Sequence, residues 1–252
     1  MRQRILLRLI LILLCVGMVQ RSWGMPQSSD KTKRVLVITG EDYPGHKWKQ
    51  TAPVLKALYA PDPRMQVEVM QDLSKLASTD LGEFAALVMH FKNYDPQVPG
   101  RKAFDKLCRF VKQGGGLVLV HFACGAFQEF KDEFSELAGR AWNPKLRGHD
   151  PFGEFTVNMT AQPHPITAGL QPFQITDELY TCLEGDTPIT VLAGAISKVD
   201  QKIYPMAFVL NYGKGRVFHC VLGHDKDALA NEGAGKLFRR GTAWTAHLKP
   251  QQ

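Results

Sequence analysis

The stretch GGGLVLVHFACGAFQEF, Gly114–Phe130, decides how the rest of the chain is read. A glycine run ends one segment, four apolar residues follow, and the apolar run stops at His121 with Cys124 three residues later. A short continuous apolar run bounded by turn residues reads as a buried strand. The turn after such a strand is where many α/β enzymes display a nucleophile. The segment therefore offers three readings: Cys124 as a thiol nucleophile, His121 as a base or metal ligand, or a packed turn with no chemistry.

Outward from this point the pattern repeats. RVLVIT (Arg34–Thr39), QVEVM (Gln66–Met70), AALVMH (Ala85–His90) and LVLVH (Leu117–His121) read as strands. Between them, Trp48, Ala52, Leu55 and Tyr59 recur at helical spacing, as do Phe104, Leu107, Cys108 and Val111. Pro53 is compatible with the first helix only within its first turn. FQEFKDEFSELAG is expected to be the helix after the fourth strand. Strands alternating with helices predict a flavodoxin-like, doubly wound, mainly parallel α/β sheet. Further on, PMAFVLNYGKGRVFHCVLGHD reads as a hairpin turning at NYGKG, and the chain from Lys226 as helical.

Ligands of such sheets bind beyond the carboxyl ends of the strands. His46 in the loop after the first strand, His90 and His121 all fall at those ends, so one edge is expected to collect histidines. Histidine there can serve as a base near neutral pH or as a metal ligand. Two later segments add candidates: AQPHPITAGL with His164, and FQITDELYTC with Asp177, Glu178 and Tyr180. Adjacent acids on an extended segment point to opposite faces, so one of the two suffices for a site. His224, after Gly223, is a better candidate than His219, which alternates with apolar residues inside a strand. No HExxH, H-x-H or cysteine cluster is present. A divalent metal such as zinc would be assembled from separated residues, with His121, His164 and Glu178 as candidates. For a thiol mechanism Cys124 lies past the turn, and no H-x-E pair follows to supply its base.

Residues 1–24 carry Arg2, Arg4 and Arg8, an apolar run from Leu9 to Val19, and small residues before a cut at Met25. This is the order of a secretory signal peptide. The apolar run is short against the roughly 20 residues of a membrane span. An exported protein, periplasmic or extracellular, without a stable membrane anchor after cleavage is therefore expected. Residues 25–33 read as a flexible lead-in and 34–248 as a single domain. The chain has 31 Lys+Arg against 24 Asp+Glu; without the four arginines before the cut, 27 basic residues face 24 acidic ones, a net charge of +3. No dense basic patch survives, so nucleic acid is not an expected partner. The mature chain keeps Cys108, Cys124, Cys182 and Cys220, whose spacing is not that of a disulfide framework, and buried free thiols are expected.

Taken in order, VLVITG with Gly45-His46, GGGLVLVHFA around His121, HPITAGL at His164, DELY at Asp177–Tyr180, GKGRVF and LGHD ending at His224, and the closing RRGTAWTA resemble the ThuA-like (trehalose utilisation) family. The resemblance implies a class I glutamine amidotransferase-like fold whose elbow is kept and whose amidotransferase chemistry is lost. It implies a small-molecule carbohydrate as partner, with 3-keto glycosides as substrates. It places His46, His121, His164, Asp177, Glu178 and His224 at the pocket, with His90 and Tyr180 beside them. The expected enzyme is a lyase, hydratase or hydrolase in which His121 and Asp177 or Glu178 move protons and His46, His90, His164, Tyr180 and His224 bind substrate. A non-catalytic carbohydrate-binding module and a thiol hydrolase or amidotransferase relative using Cys124 are the competing expectations. A homo-oligomer is compatible with all three.

Overall fold

Short β-branched runs form the parallel half of one sheet. The computed structural model describes residues 32–41 and 45–251, so the signal-peptide assignment at residues 1–24 lies outside the described residues. Strands β1 (Lys33–Ile38), β2 (Met65–Met70), β3 (Ala86–Met89) and β4 (Gly116–Val120) pair in parallel, β1 with β2 and β3, and β3 with β4. β3 and β4 are wholly buried, as strands covered on both faces must be.

The later strands are β5 (Gly153–Met159), β6 (Phe173–Asp177), β7 (Thr190–Ile196), β8 (Ile203–Tyr212) and β9 (Gly215–Cys220). The sheet order is β2-β1-β3-β4-β9-β8-β7-β5-β6. The last strand, β9, therefore inserts parallel to β4. From there β8, β7, β5 and β6 extend the sheet by antiparallel pairs. The doubly wound parallel sheet expected from the sequence is present, and an antiparallel wing continues it. The β8–β9 hairpin forms where NYGKG predicts it, with Gly213 in the left-handed region at φ 61.

Helices cover both faces, sorted by the strand period of two. α1 (Trp48–Ala57), α4 (Lys226–Ala230) and α5 (Glu232–Thr245) pack Leu55, Leu229, Leu237 and Phe238 with Val35, Val88, Val118 and Phe218. α2 (Gly100–Lys112) and α3 (Lys131–Ala138) pack Phe104, Leu107, Phe134 and Leu137 with Leu36, Leu87, Leu117 and Val217 on the other face.

Two local expectations are corrected. Pro53 lies in the interior of α1, not its first turn. Its side chain is exposed, and so is Lys49, four residues back, whose carbonyl water can reach. The helix after β4 begins only at Lys131: residues His121–Gly125 and Gln128–Phe130 form 3-10 turns, separated where Phe127 takes φ 50. Burying the Phe127 ring against Phe91, Phe104 and Phe134 holds it there, and its N–H donates to Asn93 Oδ1 at 2.6 Å.

Gly241 shows how closely α5 meets the sheet. A Cβ at this position would lie 2.2 Å from Phe218 Cδ1. Helix propensity favours alanine by about 1 kcal/mol, but displacing a buried ring costs roughly 1–3 kcal/mol. Gly241→Ala is expected to lower the denaturation midpoint; a raised midpoint would show that Phe218 yields freely.

Candidate functional site

β4 ends at Val120 and the chain turns sharply on His121, whose φ is 48. A non-glycine residue in the left-handed region is uncommon, and there it persists where its surroundings over-determine it. A strained turn of this kind after a strand is how a nucleophile elbow exposes its residue. Here the residue on the turn is His121. Its Nδ1–H donates to the Val221 carbonyl at 2.8 Å, so the neutral ring presents a lone pair at Nε2.

Cys124 sits past the turn with its side chain 0% exposed. Burial pushes its thiol well above the usual range, against a smaller opposing pull from Lys92. The nucleophile would be the thiolate, and this environment suppresses it. A thiol-alkylating reagent at neutral pH is expected to leave Cys124 unmodified in the folded protein, as read by peptide mass; rapid labelling would reinstate a thiol mechanism. All four described cysteines are free.

Around His121 the strand ends bring other donors together. Glu178, just after β6, places Oε2 3.3 Å from His121 Nε2 and 3.1 Å from His224 Nδ1. His46, after β1, lies with its ring 5.1 Å from that of His121 and 4.8 Å from that of His224, and stacks on Phe122 at 4.4 Å. One ligand atom from each of His46, His121, Glu178 and His224 falls within 4.8 Å of all the others.

Burial pushes His46 down to about 2, with His121 and His224 adding to the effect. Burial would by itself raise Glu178, but His121 and His224 outweigh it and hold the carboxyl well below the usual range. Contact with Glu178 raises His224 despite its burial. His121 Nε2 and His224 Nδ1 are shielded from solvent and make no aligned hydrogen bond. The lone pair of a neutral His121 facing the Glu178 carboxylate repels it, so the arrangement calls for a cation or a proton at its centre.

Asp177 is the one of the two adjacent acids that does not face the cluster. It is fully buried, and its carboxylate accepts N–H bonds from Gly223 at 2.7 Å, Glu178 at 2.8 Å and His224 at 3.1 Å. Burial is the largest influence on it and raises its carboxyl. Asp177 thus ties the β6 end to the β9 end from behind, while Glu178, pointing the other way, faces the cluster.

A cavity of about 440 Å³ opens beside the cluster, walled by Lys92, Tyr94, Phe122, Trp142, His149 and Tyr180. Tyr180 has its ring 4.5 Å from His121. His90 stands behind this wall, its ring edge-on to Phe122 at 5.2 Å and its Nδ1 3.0 Å from Thr39 Oγ1; burial pushes it down to about 3. His164 is not brought into the cluster, which corrects its metal-ligand assignment. The PHPITAGL segment closes a turn in which Thr167 N–H and Ala168 N–H donate to the His164 carbonyl, and the His164 ring packs on Trp244 at 5.2 Å.

His149 was not singled out from the sequence, and Trp142 and Lys92 were not either. A signal for His149 exists: Gly148-His149-Asp150 repeats Gly223-His224-Asp225. Gly148 also has a steric task, since a Cβ there would come within 1.7 Å of the Trp142 ring.

Among solved structures, a ThuA-like protein from Parabacteroides merdae is similar at TM-score 0.76 and 23% identity, over 88% of this chain and 93% of that one. A ThuA-like protein from Bacteroides uniformis is similar at TM-score 0.69 and 15% identity, over 90% and 98%. A β-galactosidase from Bacillus circulans sp. alkalophilus matches 88% of this chain with 32% of its own, at TM-score 0.55 and 13% identity. At these identities the likeness concerns the fold. No curated protein sequence matches significantly. The family model described as "ThuA: Trehalose utilisation" matches residues 34–245. The chain belongs to the ThuA family.

Proposed function

We propose that the protein is a carbohydrate-active enzyme that works on sugars or 3-keto glycosides with a divalent metal held by His46, His121, Glu178 and His224. The observation that carries this reading is the convergence of three imidazoles and one carboxylate within 4.8 Å. Nitrogen and carboxylate donors in this number suit zinc. His121 has the orientation typical of a ligating histidine, its second nitrogen bonded to a backbone carbonyl. Bound there, the metal would polarise a sugar carbonyl as a Lewis acid. The carbohydrate assignment is supported by family membership.

The chain's own residues supply the rest. Phe122, Tyr180 and Trp142 line the cavity with rings that exclude water and suit the C–H face of a pyranose. A keto group acidifies the neighbouring C–H, so elimination or hydration beside it is the expected chemistry. Residues 1–24 have the pattern of an export signal, which supports a periplasmic or extracellular enzyme.

The test is elemental analysis of the purified mature protein followed by turnover of 3-keto disaccharides and their parents. About one equivalent of metal is expected, with turnover falling at least ~100-fold on chelation and returning on addition of zinc. Absence of metal after reconstitution, together with no product from either sugar, would overturn the reading.

A further inference from the structure

His149 is held with more structure than a cavity wall requires. Its segment pairs with Tyr180 through an isolated antiparallel bridge, with Asp150 N–H donating to Leu179 O at 2.9 Å and Thr181 N–H to Gly148 O at 2.8 Å. The neighbouring Asp150 carboxylate is buried and accepts from Ser197 Oγ at 2.9 Å and Lys198 N–H at 2.8 Å. The imidazole packs beside two rings, 5.8 Å from Tyr180 and 6.3 Å from Trp142.

This clamp fixes which nitrogen faces the cavity. Nδ1–H donates to the Asp150 carbonyl at 2.7 Å, so the neutral ring offers an acceptor at Nε2. That acceptor stands 3.6 Å from Glu178 Oε1, the carboxylate oxygen turned away from His121 and His224. Two acceptors side by side cannot satisfy each other, and at this separation they are not in hydrogen-bond contact. A donor on the cavity side, water or a substrate hydroxyl, can serve this half-exposed acceptor next to the four-residue cluster.

We propose that His149 is a specificity-determining residue whose Nε2 accepts a hydrogen bond from a substrate hydroxyl adjacent to the oxygen held at the cluster. The inference rests on the metal-assisted sugar reading and narrows its substrate class. The site selects compounds with two neighbouring oxygens, one at the cluster and one donating to His149, as in an α-hydroxy ketone. Ketones without the adjacent hydroxyl forgo that hydrogen bond, leave Nε2 to water and bind more weakly.

Calorimetry on the zinc-loaded full chain tests this with three probes: methyl 3-keto-α-D-glucopyranoside and its 2-deoxy and 4-deoxy analogues. Wild type is expected to bind the parent about 10-fold more tightly than one of the deoxy analogues, the effect of one hydrogen bond. His149→Phe keeps a stacking ring and should erase that preference while retaining zinc; should it not fold, His149→Leu reads the same loss. His149→Gln, which restores an acceptor, should recover part of it. An unchanged preference in His149→Phe or His149→Leu, or equal binding of all three probes by wild type, would overturn the inference alone. Failure of wild type to bind any probe would overturn the 3-keto glycoside reading, and the inference with it.

Discussion

His121→Ala is expected to lose its metal and at least ~1000-fold in turnover while the protein still folds. The substitution removes the donor at the strained turn after β4 and leaves the Val221 carbonyl without its N–H partner. Loss of an outer-shell partner costs a metal site roughly 10–100-fold in affinity, and loss of a ligand costs more. Lewis-acid stabilisation amounts to several kcal/mol, and each ~1.4 kcal/mol is tenfold in rate. Because alanine at φ 48 keeps the backbone strain, His121→Asn is the companion variant: asparagine tolerates the left-handed region. Circular dichroism checks the fold, elemental analysis the metal, and product formation the turnover. Both variants retaining metal would remove His121 from the ligand set.

The second large effect is expected at Asp177. Asp177→Ala orphans three N–H groups, of Gly223, Glu178 and His224, at ~1–3 kcal/mol for each donor that stays buried. That loss is a large fraction of a typical folding free energy of ~5–15 kcal/mol, so the alanine variant is expected to accumulate poorly. Asp177→Asn is the informative replacement, since its carbonyl keeps part of the network. It should fold with a melting temperature lowered by several degrees, at ~2–4 °C per kcal/mol for a domain of this size. Its zinc affinity should fall ~10–100-fold, because Asp177 sets the positions of Glu178 and His224. A competitive chelator titration reads this directly. Wild-type affinity in Asp177→Asn would confine the residue to stabilising the fold.

The parallel half of the sheet was legible because β1, β3 and β4 are short apolar runs, a pattern that burial on both faces imposes, while β2 alternates as a part-exposed strand does. For the same reason the edge carrying His46 and His121 could be read from strand ends alone, and His224 followed from the hairpin. Alternation implied that Asp177 and Glu178 face opposite ways, but not which one meets the histidines. That depends on β6 joining the sheet through β5, a long-range pairing with no local signature. His164 was misplaced because a histidine between prolines looks the same whether its turn folds over a site or against Trp244. His149 was missed because its segment carries no periodic signal; only the repeated Gly-His-Asp marks it. The residues of the 3-10 turns after β4 suit a helix, and burial of Phe127 overrides that preference.

The position of β9 gives the cluster an order of assembly. It is the last strand in the chain, yet it lies between β4 and β8, and the residues just after it supply both the carbonyl that orients His121 and the imidazole of His224. A nascent or truncated chain that stops before β9 has the histidines of β1 and β4 but neither of those groups, and Glu178 has no Gly223 or His224 amide to share through Asp177. A metal held by all four residues would therefore find its complete ligand set only after the sheet has closed. An occupied site would certify a finished molecule, and fragments released by proteolysis before that strand would give up their ion.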